Sequence, residues 1–451
     1  MPRTLKAERI NRLEQLLARV LPVPSEWTGV AAKQADGKAR GPIELSSLTC
    51  QSWDELVLVW RKALQWRQEL EDVLAVMLAV AISTDQAGEN QLFLQVLGPA
   101  GSAKSRFCDA MLVSHKCMAL EHLTGFFSGW KGKGEGEDYS FIARCNKKTL
   151  ITSEGDVIKS SPKVLELMSQ QRRIFDGVAG ASYKNNMEDR RYTGLRTPWI
   201  MAGTPALLNM DQSKLGDRFL RIFITVPDED QMGLILRRVA FSSMNSVLQP
   251  ADGRPDGVLD EKMTLAYRMT GGYVDWLRNN ATELLSSVQL EREAIYEKIE
   301  NMARFVAYMR ARPETIRPYE DKELNTSKEQ PTRLIGQFGR LAICLAAVRG
   351  DFSNSDSVLR IVKKVALDTA RGRPFTICRH LYGAGELGLQ LKTIVSLTGD
   401  SERRDMDLIR FMARPEIGLV EAFTANRDFM KSTVQYRLSD RAKQLYRRVV
   451  G

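Results

Sequence analysis

The chain has 451 residues, 43% hydrophobic and 27% charged, with 65 Lys and Arg against 55 Asp and Glu for a net charge of +10. That length and balance suit about three globular domains and exclude a disordered or fibrous chain. The longest apolar run, Val73–Ile82, is far short of the ~20 residues of a membrane span, and the charged N-terminus has no apolar signal core. A cytoplasmic protein with no membrane partner is therefore expected.

Six Cys lie far apart without a CxxC pair, and three His (His115, His122, His380) are present. Buried thiols are expected, and a zinc cluster or a His-based triad has little material. The positive charge suits a polyanionic partner without requiring one.

Residues 1–25 are expected to form a helix, with Leu5, Ile10, Leu13, Leu16, Leu17 and Val20 at helical spacing and Pro22 and Pro24 as its stop. Residues 25–48, small and polar, read as a linker. Ser52–Ile82 is helical and rich in Leu, Val and Trp, a pattern for core or interface packing. Short apolar runs bounded by Gly and Pro then follow: Leu92–Leu97, Thr149–Ser153, Trp199–Ala202 and Phe219–Val226. Strands alternating with helices predict a parallel α/β sheet. Helical pattern returns from Gln231 to about Ala370 and is strongest at Leu334–Val348; Pro313–Pro331 reads as a loop. Towards the end, a helix stops near Met412. Gly418–Phe423 and Thr433–Leu438 read as strands around a polar hairpin, and Ser439–Val449 as a helix. Helix, strand, loop, strand, helix is the order of a winged helix.

The sharpest motif is Gly98-Pro99-Ala100-Gly101-Ser102-Ala103-Lys104-Ser105, which follows the LFLQVL strand and opens a helix. That is the setting a phosphate loop requires. Gly98 and Gly101 let backbone N–H groups curve around phosphate oxygens, and the helix N-terminus adds partial positive charge. Lys104 would reach the β- and γ-phosphates of ATP, and the Ser105 hydroxyl would ligate Mg²⁺. The usual pattern has Gly before the Lys, where Ala103 stands.

A second strand ends in Thr152-Ser153-Glu154-Gly155-Asp156. Glu154 is expected to polarise the attacking water and Asp156 to assist Mg²⁺ through water; the usual first Asp is Ser153. Thr204, at the end of the WIMA strand, fits a contact to the γ-phosphate or to the water. Arg218 directly precedes the FLRIF strand, a place that suits an arginine finger reaching a neighbour's nucleotide, or an ion pair with Asp217.

Taken in order, GPAGSAKS, ITSEGD, AGTP and LGDRF resemble an AAA+ ATPase. The GxxGxAKS form looks like the minichromosome maintenance (MCM) helicases and, less closely, the MoxR-type ATPases. Ser169–Thr204 is similar to the MCM element that runs through a hairpin into sensor 1. Pro331-Thr332-Arg333-Leu334 is similar to the MCM sensor-2 helix, which implies Arg333 on a γ-phosphate. The resemblance covers roughly residues 52–450. It implies an N-terminal helix and linker (1–50), an AAA+ α/β core (51–230), a helical lid (231–385) and a winged-helix domain (386–451). It further implies ATP and Mg²⁺ as ligands, a homo-oligomeric ring, expected to be a hexamer, and a DNA translocase or helicase serving replication. In MCM proteins Arg218 and Arg333 would both act in trans.

Three features depart from the MCM pattern. No oligonucleotide-binding domain of MCM length stands before the core. Asp176 takes the place of a Lys near the expected tip of a hairpin at Ile174–Ser182, and Ser153 replaces the acidic residue. The size resembles shortened MCM-like ATPases of phages and mobile elements.

For DNA contact, two loops have suitable chemistry. One is Gly129–Gly134 with Trp130, Lys131 and Lys133; the other is the hairpin with Tyr183, Lys184, Arg190 and Arg191. Arg403 and Arg404, and Arg427 and Lys431 in the wing, could grip duplex phosphates. A MoxR-like ATPase gripping protein, and a ring whose nucleotide only controls assembly, are the competing readings.

Overall fold

The computed structural model describes residues 45–451 apart from 87–90, 122–137, 139, 160–163, 182–189, 210–217, most of 228–260, 312–329, 400 and 425–433. The helix expected over residues 1–25 lies outside the described residues.

The helical stretch expected over Ser52–Ile82 holds two helices. In α1 (Trp53–Ala63) the Ser52 side chain accepts from the Glu55 N–H, acids occupy the first turn and Arg61 and Lys62 the last; each choice opposes fraying or complements the helix dipole. In α2 (Gln68–Ile82) every residue from Leu70 to Ile82 is buried. A helix apolar on all sides belongs in the middle of a core, and α2 lies there, between the sheet and the later helices. Its two buried acids are paired: Asp72 with Arg360 at 2.6 Å and Glu71 with Arg61 at 3.1 Å.

The sheet has five parallel strands: β1 (Phe93–Leu97), β2 (Cys117–Ala119), β3 (Thr149–Thr152), β6 (Trp199–Gly203) and β7 (Phe219–Phe223), in the order β2-β3-β6-β1-β7. β1, β3, β6 and β7 are buried along their whole length, as expected when both faces are covered. One face carries Leu94, Val96, Ile200 and Ile222 into a core shared with α2 and with α3 (Lys104–Leu112). The other carries Phe93, Leu97, Trp199 and Phe219 towards α4 (Phe141–Cys145) and α6 (Val164–Phe175), between which the short α5 (Gly155–Lys159) leaves β3. An antiparallel pair, β4 (Val178–Ala181) and β5 (Arg190–Thr193), follows α6.

The helical region comprises α7 (Glu261–Asn279), α8 (Ala281–Ser286), α9 (Arg292–Arg310), α10 (Thr332–Arg349) and α11 (Ser355–Ala370). α11 covers the free edge of β7. The Arg221 N–H donates to Thr369 Oγ1 at 2.8 Å and the Phe223 N–H to Asp368 Oδ2 at 2.9 Å. Two edge donors are thereby satisfied by side chains.

The C-terminal unit runs α12 (Arg373–Ala384), β8 (Leu389–Gln390), α13 (Leu391–Thr398), α14 (Glu402–Met412), β9 (Val420–Thr424), β10 (Val434–Leu438) and α15 (Asp440–Val449), with an antiparallel sheet in the order β8-β10-β9. Tyr446 of α15 lies 6.1 Å from Phe305 of α9, ring to ring, and stacks on Phe375 and Tyr382.

Two sequence expectations need correction. The hairpin does not span Ile174–Ser182: Ile174 and Phe175 complete α6, and Asp176 sits in the turn that leads into β4. The amphipathic pattern of α6 carries its last apolar pair into the core, so the strands begin later and Asp176 is not at a tip. The end of the linker is ordered as well. Leu48 N–H donates to the Arg268 carbonyl of α7 at 2.9 Å, and a Cβ on Gly272 would fall 2.6 Å from the Leu48 carbonyl carbon. The glycine allows backbone to cross backbone.

Candidate nucleotide site

The candidate site is built at the C-terminal edge of the sheet. As β1 ends, the Gly98 N–H donates to the Gly203 carbonyl at 3.2 Å, tying the loop to β6. A Cβ on Gly98 would meet Ser102 Oγ at 2.9 Å and the Ile224 carbonyl at 3.0 Å, so nothing larger fits. Gly101 has φ +75° and Ala103 φ +69°. Ala103 thus adopts the left-handed conformation that glycine favours, at a cost of ~1 kcal/mol. Left-handed residues alternating with others give the concave backbone in which N–H groups converge on an anion. Immediately afterwards α3 begins, with the unpaired N–H groups of its first turn.

Lys104 is 8% exposed. Its ammonium donates to the Gly98 carbonyl at 2.8 Å, the Pro99 carbonyl at 2.6 Å and Ser102 Oγ at 3.0 Å. The loop curls around this one charge. Burial pushes the Lys104 pKa below the usual lysine range, and the nearby Asp156 carboxylate opposes the shift. Ala100, Gly101 and Ser105 are exposed on the open side of the loop.

The second wall comes from β3 and β6. Glu154 is exposed just beyond β3. Asp156, half-buried on α5, accepts the Thr204 N–H at Oδ2 (2.9 Å) and the Thr204 hydroxyl at Oδ1 (3.1 Å). Close packing makes this possible: a Cβ on Gly155 would sit 2.5 Å from Met201 Cγ, and one on Gly203 3.1 Å from Leu207 Cγ and 3.3 Å from Asp156 Oδ2. Lys104, Asp156 and Thr204 therefore gather at the ends of three neighbouring strands. The sequence pattern suggested each residue separately but not the clamp between Asp156 and Thr204.

Arg218 lies at the opposite edge. Pairing of Phe93 with Phe219 puts it where the strands begin. Its guanidinium is 3.7 Å from Asp176 Oδ2 and lies over the Phe175 ring at 5.4 Å. Asp217 lies outside the described residues. Gln337 Nε2 donates to the Arg218 carbonyl at 2.9 Å. Arg333, half-buried in the first turn of α10, is one helical turn before Gln337 and so shares its face. The first half of α10 is thereby packed against the start of β7.

Of the residues expected on DNA, Lys131, Lys133, Lys184, Arg427 and Lys431 lie outside the described residues, as do Trp130 and Tyr183. Arg190 opens β5, and Arg191 beside it is exposed. Arg403 and Arg404 are exposed on α14 together with Asp407 and Arg410.

Among the described residues no three His, Cys, Asp or Glu side chains converge as a metal site. A Mg²⁺ ion held by the Ser105 hydroxyl, phosphate oxygens and water fits these residues, because Mg²⁺ keeps several waters and takes few protein ligands. Likewise, no helix among the described residues is long and apolar enough to cross a membrane. Compared with known proteins, the chain matches no family model and no curated protein.

Proposed function

We propose that the chain is an AAA+ ATPase that hydrolyses MgATP between the subunits of a ring and uses the energy to translocate on DNA, as an MCM-like helicase does. The observation that carries this reading is the strand order around the loop. β6 stands between β1, which leads into the loop, and β3, which leads to Glu154. Two strand spacings of about 4.8 Å each separate loop from acid. That gap suits a γ-phosphate with a water beside it, and Thr204 ends the strand in between.

On this reading the loop N–H groups and Lys104 take the β- and γ-phosphates, with Lys104 exchanging its loop carbonyls for phosphate oxygens. The Ser105 hydroxyl would hold Mg²⁺, which would supply charge neutralisation at the phosphates. Glu154 polarises the water. Arg218, at the far end of the strands from its own loop, reaches the nucleotide of an adjacent copy, and Arg333 does so by its resemblance to the MCM sensor-2 arginine, so each site needs two subunits. The order of elements in the C-terminal unit, with β8 after its first helix and β9 and β10 as its last two strands, supports the winged-helix reading. Arg403, Arg404 and Arg410 offer its exposed helix positive charge for duplex phosphates.

ATPase rate with and without single-stranded DNA, alongside mass with and without ATP, tests the proposal. DNA-stimulated turnover by a nucleotide-dependent ring, with strand separation, is expected. Stimulation by a protein partner but not DNA would favour the MoxR-like reading instead. Assembly with negligible turnover would leave only a nucleotide-controlled scaffold.

A further inference from the structure

We infer that Asp156 is a positioning residue that draws the Thr204 hydroxyl hydrogen away from the nucleotide, so that Thr204 acts as a hydrogen-bond acceptor for the attacking water and not as a donor to the γ-phosphate. The inference rests on the ATPase reading above and decides between two roles that the sequence leaves open for Thr204.

The argument is one of donors and acceptors. An ionised carboxylate only accepts. Between Thr204 Oγ1 and Asp156 Oδ1, 3.1 Å apart, the hydrogen must therefore come from threonine. The Thr204 N–H holds the other carboxylate oxygen at 2.9 Å, so the carboxylate cannot rotate away without losing two bonds. The Ala206 N–H donates to Thr204 Oγ1 at 3.3 Å and occupies one of its two lone pairs. One lone pair remains, and no hydrogen. Phosphate oxygens are acceptors too, and two acceptors repel. Water has hydrogens to give.

A water that donates one hydrogen to Thr204 and the other to Glu154 turns an oxygen lone pair towards phosphorus. As its oxygen bonds to the γ-phosphorus, the bond from phosphorus to the β–γ bridging oxygen breaks and ADP leaves with that electron pair. The proton lost by the water passes to Glu154 and then to solvent or the released phosphate. Asp156 takes no part in these bonds and acts only by fixing the direction of one hydroxyl. The pocket favours that geometry: Gly155 and Gly203 have no room for a side chain, so α5 and the end of β6 cannot separate without opening a void.

Asp156→Asn is the direct test. The Thr204 N–H would claim the amide oxygen, and the amide NH₂ would then face the hydroxyl and donate to it, turning the threonine hydrogen outward. We expect kcat to fall by ~10²-fold, the scale for a mis-set proton-handling group. ATP and ADP affinities and the Mg²⁺ concentration for half-maximal rate should stay within twofold of the parent. Thr204→Val should lose kcat to the same extent, Thr204→Ser should restore most of it, and the Asp156→Asn, Thr204→Val double variant should be no worse than either single one. Should Asp156→Asn fail to fold, the valine and serine variants carry the test through the ratio of ATP to ADP affinity, read by fluorescence or calorimetry. Parental kcat in Asp156→Asn, with Lys104→Ala dead, would overturn this inference and leave the ATPase reading standing. So would a loss of kcat rescued by excess Mg²⁺, or tenfold weaker binding of ATP but not ADP by Thr204→Val. Absence of turnover in the parent would overturn both.

Discussion

Arg218→Ala should separate ATP binding from hydrolysis. The five residues of β7 span about 16 Å at roughly 3.3 Å each, more than twice the reach of an arginine side chain. Arg218 stands before that strand and the candidate phosphate loop stands after its partner β1, so Arg218 cannot meet a γ-phosphate held by its own loop. The substitution is mild for the fold. The pair with Asp176 is 3.7 Å long and its acid is 53% exposed, so its loss costs up to ~1 kcal/mol; loss of the contact over Phe175 adds about 0.5–1 kcal/mol, so a Tm lowered by only a few degrees is expected. A trans-acting arginine contributes about 10³–10⁵-fold to phosphoryl transfer, equivalent to ~4–7 kcal/mol of barrier. The variant should bind ATP as the parent does and turn it over at least a thousandfold more slowly. Mixed with Lys104→Ala, it should regain activity, because some interfaces then pair an intact loop with an intact Arg218. Two results would refute the reasoning. One is a mixture as inactive as either variant while mixed rings form and a parent–variant mixture stays active. The other is a diluted monomer that hydrolyses ATP at the full rate.

Glu154→Gln should bind ATP normally and hydrolyse it ~10²-fold more slowly, since an amide keeps the shape but not the base; a parental rate would assign the water to another acid. Gly272→Ala should either melt well below the parent or release the strap at 45–50, because the new Cβ would fall 2.6 Å from the Leu48 carbonyl carbon, and limited proteolysis distinguishes these from a harmless change. All six cysteines are buried, and burial pushes each thiol up to about 12 from the usual 9.0. Iodoacetamide at pH 9 should therefore label the denatured chain but not the native one. Because the unfolded thiols ionise first, their contribution to stability is intact below about pH 9 and is lost as pH rises towards 12.

Much of the fold was legible in the sequence because the buried strands of a parallel sheet are short, continuous apolar runs. The spans Leu92–Leu97, Thr149–Ser153 and Trp199–Ala202 differ from β1, β3 and β6 by one residue at an end. Two strands were missed for identifiable reasons. Cys117–Ala119 has three residues and only its first is buried, and Leu389–Gln390 has two; neither is long enough to show a period. The break between α1 and α2 was hidden because both flanks are Leu- and Val-rich. The hairpin was misplaced because the end of an amphipathic helix and the start of a strand share the same local signal.

The candidate site divides in the same way. The candidate phosphate loop is a contiguous octapeptide whose geometry is local, so Gly98 through Ser105 could be read directly; the left-handed conformation of Ala103 is seen only in the fold. Thr204 and Asp156 stand 48 positions apart in the chain, and which of the two gives up a hydrogen is set by that pairing alone. Arg218 likewise takes its surroundings from Phe175 and Asp176, in the turn after α6, and from Gln337, 119 positions away. A residue's type indicates what chemistry it can perform. The direction in which it performs that chemistry depends on neighbours that only the fold supplies, and for this molecule those neighbours divide the candidate residues between two edges of one sheet. One edge holds the loop, Glu154, Asp156 and Thr204; the other holds Arg218. No side chain spans that distance, so if all of them serve one nucleotide, a second copy of the chain must close the site.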